Sequence, residues 1–181
     1  ATESALYRLS QNIEDTIEAH KAEGMDKEKA VLAGLREYAA ECAILKVHGS
    51  ETLDYVVDEG VQIYGGMGFS ADAPMDRAYR DARINRIFEG TNEINRMLTI
   101  DMLMKRAMAG KVDLLGAGAK VQKELMGIPE FGSSETTLFS EEIKSVENAK
   151  KATLVAIGGA AQKLMAKLKY EQEIMMNGAD M

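Results

Sequence analysis

Apolar positions recur three and four residues apart along most of this chain, the period of an amphipathic helix, and no stretch reads as a strand. Leu6, Leu9, Ile13, Thr16 and His20 predict one buried stripe on a helix from about Thr2 to Glu23. Gly24 stops that helix, and Asp26 is placed to cap the next. The second helix is expected to run from about Lys27 to Tyr64. Val31, Leu35, Tyr38, Cys42 and Leu45 mark its seam, which continues through Gly49, Val56 and Ile63. Inside a helix Gly49 and Gly60 each cost about 1 kcal/mol relative to Ala, so close approach of a neighbour or ligand is expected there. Gly65 and Gly66 end the helix, and Pro74 follows in a loop.

A short third helix is predicted from about Met75 to Ile87. A fourth runs from about Asn92 to Met108, with Thr91 as its N-cap, Glu93 in its first turn, and Ile94, Met97, Ile100 and Met104 as its apolar face. Residues 110 to 139 are glycine-rich and hold one weak helix, from about Ala119 to Met126; they read as a linker or a surface excursion. Ser140-Glu141-Glu142 opens a last long helix through about Met176, with Ile143, Val146, Ile157, Ala161, Leu164 and Leu168 on its seam. Its Lys150, Lys151, Lys163, Lys167 and Lys169 are interleaved with Glu and Gln and read as a solvated face rather than a membrane-binding one. The fold class is all-α, an up-and-down helical bundle, with residues 1–109 as the bundle domain and 110–181 as a linker and further helical extension.

Composition narrows the function. Ala, Leu, Met, Glu and Lys dominate, all helix formers. With 46% hydrophobic residues the chain can build a core, and a net charge of −7 argues against nucleic acid as a partner. A single cysteine, Cys42, allows no intrachain disulfide and suits a reducing compartment; its place on the seam predicts a core residue. Met97, Met104 and Met126 read as core filler, and Met175-Met176 as surface. No run approaches the ~20 apolar residues of a membrane span. His20 and His48 lack the Glu three residues upstream that a di-iron bundle uses, since Ile17 and Leu45 stand there, so no metal site is expected. The chain opens and closes within helical patterns, which predicts a piece of a longer protein.

Three constellations carry candidate chemistry. Gln62-Ile63-Tyr64-Gly65-Gly66-Met67-Gly68-Phe69 ends a helix in a glycine turn whose amides can approach a phosphate closely, although a plain glycine C-cap accounts for it too. Phe88-Glu89-Gly90-Thr91-Asn92-Glu93-Ile94 puts a carboxylate on a glycine turn just before a helix. Such a carboxylate is ordinarily a solvated helix-entry group, but between two rigid helices it is also suited to act as a base. Between them Arg77, Arg80, Asp81, Arg83 and Arg86 form a charged run that is ordinarily a solvated face or ion-pair lattice.

Taken in order and at this spacing, the three segments resemble the C-terminal helical domain of the acyl-CoA dehydrogenase family of flavoenzymes. The resemblance is densest from about Ala39 to Arg106 and points to the very-long-chain branch, whose extra helical region residues 110–181 would begin. It implies α,β-dehydrogenation of fatty acyl-CoA in β-oxidation, with Glu89 as catalytic base and Gly90 along the substrate. It implies FAD contacts from Gln62, Ile63, Tyr64, Gly65 and Gly66, mostly to FAD held by a neighbouring subunit, and from Thr91, Asn92 and Glu93 in the subunit carrying the base. The Arg80-Asp81-Ala82-Arg83 run is expected to brace the Glu89 loop. Implied partners are an electron-transferring flavoprotein and further copies in a homodimer or tetramer, in bacterial cytoplasm or the mitochondrial matrix. A non-catalytic oligomerisation module and an acyl-CoA oxidase relative are the alternatives. The family's N-terminal helical and middle β domains are not found in this sequence, so the fragment alone is expected to be inactive.

Overall fold

The computed structural model describes residues 1–127 and 138–181. Every regular element among them is helical. They form two compact units, Ala1–Thr99 and Ile100–Met181, with one helix passing from the first into the second.

The first unit begins with α1 (Thr2–Ala22) and α2 (Lys27–Glu37), joined by a four-residue turn into a hairpin. Gly24 sits at φ +88°, and Asp26 caps α2 by accepting from the Glu28 amide at 3.2 Å, as expected. The hairpin closes tightly at Gly34, where a Cβ would stand 2.6 Å from Ile17 Cγ1. The expected continuous second helix is instead two helices, α2 and α3 (Ala39–Tyr64), broken at Tyr38 (φ −106°, ψ 20°). Tyr38 turns its hydroxyl to within 3.3 Å of Thr16 Oγ1 on α1, a long-range contact that local periodicity does not register.

The buried side of α2 and α3 also differs from the predicted seam. Ala30, Ala40, Ala43, Val47 and Val57 are buried, whereas Leu35, Val56 and Ile63 are exposed. On α1 Leu9 is buried and Leu6 exposed. Apolar and charged residues of α3 are spread around its axis with no single dominant apolar face, so spacing alone does not choose the inward one, and small residues win where helices approach closely. Gly60 meets its expected neighbour, since a Cβ there would stand 2.3 Å from Met75 Cε; Gly49 has nothing within 4 Å.

A one-turn helix α4 (Gly66–Phe69) follows, then α5 (Pro74–Arg83) and a 3-10 turn (Ile84–Arg86), shorter than the helix predicted to Ile87. Helix α6 (Asn92–Met108) has the predicted bounds, and Ile100 of its predicted face is buried, but polar residues share that inner side. Asn92, Asn95, Thr99 and Ile100 are buried, whereas Ile94 is exposed.

In the second unit α7 spans Leu114–Met126, starting a turn earlier than predicted because Asp113 Oδ1 accepts from the Gly116 amide at 2.8 Å and caps it. Part of the predicted linker, 128–137, lies outside the described residues. The last helix is not continuous. It divides into α8 (Ser140–Leu164), a 3-10 segment (Met165–Tyr170) and α9 (Gln172–Asp180). The division lets α9 fold back so that Gly178 packs on Ile157 and Ile100, 3.6 and 3.5 Å from where its Cβ would stand, with Leu168 and Met175 buried. Met175 is therefore core rather than surface, and Met126, at 82% exposure, is surface rather than core. Cys42 is exposed too, and partial desolvation, then the neighbouring Glu41, raises its thiol above the ordinary value, which leaves it a weak nucleophile at neutral pH.

Met165 stands at the division with φ 47° and ψ −124°, a region open almost exclusively to glycine. Its side chain is 77% exposed and packs on little. Met165→Gly is therefore expected to stabilise the chain by about 1 kcal/mol, read as a rise in the thermal midpoint. An unchanged or lower midpoint contradicts the strain.

Candidate active site

Three contacts lay α5 and the segment after it antiparallel along α3. Met75 meets Gly60, the Arg86 guanidinium lies 3.4 Å from Asp54, and the Lys46 ammonium donates to the Gly90 carbonyl at 2.7 Å. Residues 84–91 are thus drawn down one flank of α3 before α6 begins.

The turn itself is sharp. The Ile87 and Phe88 amides both donate to the Ile84 carbonyl, closing the 3-10 turn. Glu89 and Gly90 then follow at φ +57° and φ +79°, two successive left-handed residues. Glycine suits the second position twice over: it adopts that φ freely, and a Cβ there would stand 3.1 Å from Asn95 Nδ2. Glu89 has no such freedom, and a non-glycine residue in this region costs about 1–2 kcal/mol. The surroundings must impose that conformation, and such sites cluster where function needs a fixed geometry. The Glu89 side chain is exposed in this chain.

Several side chains hold the turn. Asn95 Nδ2 donates to the Gly90 carbonyl at 2.9 Å and to the Thr91 carbonyl at 3.1 Å. Thr91 caps α6 as predicted, its Oγ1 accepting from the Ile94 amide at 3.2 Å. Asn92, only 2% exposed, accepts from Lys46 Nζ at 2.8 Å and donates to Ser50 Oγ at 2.9 Å and Glu51 Oε1 at 3.2 Å. Arg96 closes the outer edge on Glu51 at 2.9 Å. A buried polar network satisfied in this way fixes one arrangement, because each lost partner would strand a desolvated group. Glu93 is exposed, and its carboxyl lies below the ordinary range, chiefly because it accepts from its own backbone N–H and then from Thr91.

The structure brings Glu89, Gly90, Thr91, Asn92 and Glu93 together around one turn. It commits the Asn92 side chain to the buried network. It leaves Gln62, Ile63, Tyr64, Gly65 and Gly66 exposed at the far end of α3. Lys46, which touches the turn, and Gln62 are sixteen residues apart on one helix, so the two groups are separated by ~24 Å along its axis. The 62–66 run does not join Glu89 in a single pocket of this chain. Gly65 turns the chain at φ +59°, its amide donating to the Gln62 carbonyl at 3.1 Å and its carbonyl accepting from the Gly68 amide at 2.9 Å, and neither Gly65 nor Gly66 has an atom within 4 Å of where its Cβ would stand, so the corner is uncrowded.

Arg77, Arg80, Asp81 and Arg83 are exposed, and the bracing expected of them falls to Lys46, Asn92 and Asn95. Sequence reasoning missed Lys46 and Asn95, and gave Asn92 a cofactor role rather than this one. The available signal was the polar stripe Lys46, Ser50, Asp54, four residues apart along α3, and the Asn92–Asn95 pair at helical spacing. His48, on the same helix, lies 3.0 Å from Thr2 Oγ1 and takes no part.

An all-helical unit carrying a strained, braced carboxylate turn defines the class, and similarity identifies the family. A family model described as acyl-CoA dehydrogenase, C-terminal domain, matches residues 10–104, and a second of the same description matches residues 148–181. A probable acyl-CoA dehydrogenase from Bacillus subtilis (strain 168) is 46% identical over 181 residues, covering 99% of this chain and 30% of that protein. The mitochondrial very long-chain specific acyl-CoA dehydrogenase of Rattus norvegicus is 36% identical over 124 residues, 68% of this chain and 16% of that protein. A crystal structure of an acyl-CoA dehydrogenase complexed with FAD from Bacillus anthracis superposes with a TM-score of 0.90 at 46% identity, over 98% of this chain and 30% of that one. The chain belongs to the acyl-CoA dehydrogenase family. It spans about a third or less of the length of these relatives.

Proposed function

We propose that this chain works as part of an FAD-dependent acyl-CoA dehydrogenase that converts a fatty acyl-CoA to its trans-2-enoyl thioester in β-oxidation. Residues 1–109 supply the helical domain bearing the base, and 110–181 begin a further helical extension. The observation that carries the reading is the conformation of Glu89, a carboxylate forced into the left-handed region and held through the Phe88 amide on one side and the Gly90 carbonyl on the other. Catalytic proton transfer needs this: a base whose position does not drift, presented at the edge of a turn where a flat thioester can pass along glycine. Glu89 takes the α proton as the α carbon's electron pair closes the double bond toward the β carbon. FAD, when bound, accepts the β hydrogen as hydride. Gly90 lies beside the thioester, and the amides at the start of α6, with Thr91 and Glu93, lie on the cofactor side.

The uncrowded corner at Gly65 and Gly66 leaves room for a phosphate-bearing group, and Gln62 and Tyr64 stand exposed beside it. Its ~24 Å offset from the Glu89 turn along α3 supports service to a second copy's site rather than its own. Ile63 and Phe69, 81% and 86% exposed on the same corner, support burial there in a homodimer or tetramer. Acyl-CoA is the substrate and an electron-transferring flavoprotein the electron acceptor, in the cytoplasm of a bacterium. No helix among the described residues is long and apolar enough to cross a membrane.

Mixing the FAD-bound full-length enzyme anaerobically with a saturated long-chain acyl-CoA is expected to bleach the flavin absorbance and yield one enoyl-CoA per flavin. An oxidised spectrum that persists at saturating thioester overturns the proposal.

A further inference from the structure

We propose that Lys46 is the positioning residue of this site: its ammonium ties the Gly90 carbonyl to α3 and thereby fixes where the Glu89 carboxylate stands. The inference rests on the reading of Glu89 as the base.

Glu89 and Gly90 both sit at positive φ, and Glu89 adopts that conformation against its own preference. Asn95 grips the Gly90 and Thr91 carbonyls, but it belongs to α6, the helix that the turn itself opens. Asn95 therefore ties the turn to α6, which itself reaches α3 through other residues, Asn92 and Arg96. Lys46 is 44 residues away in sequence and reaches the same carbonyl from α3, the longest helix of its unit. Its second hydrogen bond, to Asn92 Oδ1 at 2.8 Å, enters the buried network with Ser50 and Glu51. One side chain thus grips the residue after the base and the first residue of the next helix together.

The residue type matters. Both acceptors are neutral oxygens, and charge-assisted bonds to them are stronger than those an amide side chain would make. A long, half-buried stem carries the charge across the gap between α3 and the turn. Removing the ammonium leaves the Gly90 carbonyl with Asn95 alone, and the turn can slide or relax toward φ below zero. A displacement of about 1 Å at a reacting group costs ~10²-fold in rate while leaving binding nearly unchanged.

The test reads proton abstraction by itself. An acyl-CoA analogue with sulfur in place of the β carbon has no β hydrogen to lose, yet its α hydrogen can exchange with D2O on the full-length FAD-bound enzyme. Exchange is followed by mass spectrometry for wild type, Lys46→Met, Lys46→Gln, Lys46→Arg, Glu89→Gln and Gly34→Ala. The last is a stability control, destabilised through Ile17 on the far hairpin. Lys46→Met and Lys46→Gln are expected to slow exchange by ~10²-fold with analogue affinity within about twofold, and Lys46→Arg to recover part of the loss. Wild-type exchange in whichever Lys46 variant folds, or equal slowing in Gly34→Ala, overturns the positioning role. Wild-type exchange in Glu89→Gln instead overturns the assignment of the base.

Discussion

Replacing Glu89 by Gln in the full-length enzyme is expected to remove flavin reduction by acyl-CoA while leaving FAD bound. Gln has nearly the same shape but does not accept the α proton, and loss of a general base costs ~10²–10⁴-fold. Stopped-flow bleaching at the wild-type rate would sink the assignment. The same position offers a stability readout with the opposite sign. Glu89 stands at φ +57°, where an L-residue loses about 1–2 kcal/mol and glycine nothing beyond its own unfolded-state entropy of about 0.5–1 kcal/mol. Glu89→Gly is therefore expected to be more stable than Glu89→Ala by about 1 kcal/mol, and both to be inactive. If alanine proves the more stable, the backbone is not strained there.

The second large effect separates two glycines of one corner. At Gly68 a Cβ would stand 2.4 Å from the Val61 carbonyl and 3.0 Å from Val61 Cα, both backbone atoms that cannot step aside. Gly68→Ala is expected to lower stability by about 1–3 kcal/mol, the range for overpacking. Gly66, two residues earlier, has nothing within 4 Å, so Gly66→Val is expected to change the chain's own stability by no more than about 0.5 kcal/mol. In the assembled enzyme, however, a side chain there would keep a phosphate from the backbone, and FAD content per subunit is expected to fall. Full FAD occupancy in Gly66→Val would leave Gly65–Gly66 as a helix-ending turn and nothing more.

These expectations draw on both the sequence and the fold. Helix periodicity alone placed α1, α6 and the Asp26 and Thr91 caps, because each depends on neighbours within four residues. The order and spacing of the Gln62–Phe69 and Phe88–Ile94 runs carried the family, since those residues meet local demands of turn and backbone that are written in the chain itself. What periodicity did not reach was decided by contacts between distant residues. The breaks at Tyr38 and Met165 arise because α2 and α9 must turn to pack, through Thr16 in one case and Ile157 and Ile100 in the other. The inward face of α3 was hidden because its apolar residues are not gathered on one side, so only its neighbours select Ala43, Val47 and Val57 over Leu53, Val56 and Ile63. The bracing of Glu89 passed to Lys46, Asn92 and Asn95 for the same reason. A lysine and two asparagines look solvated in a sequence, and the asparagines become buried, with the half-buried lysine against them, only when tertiary packing brings them together as partners.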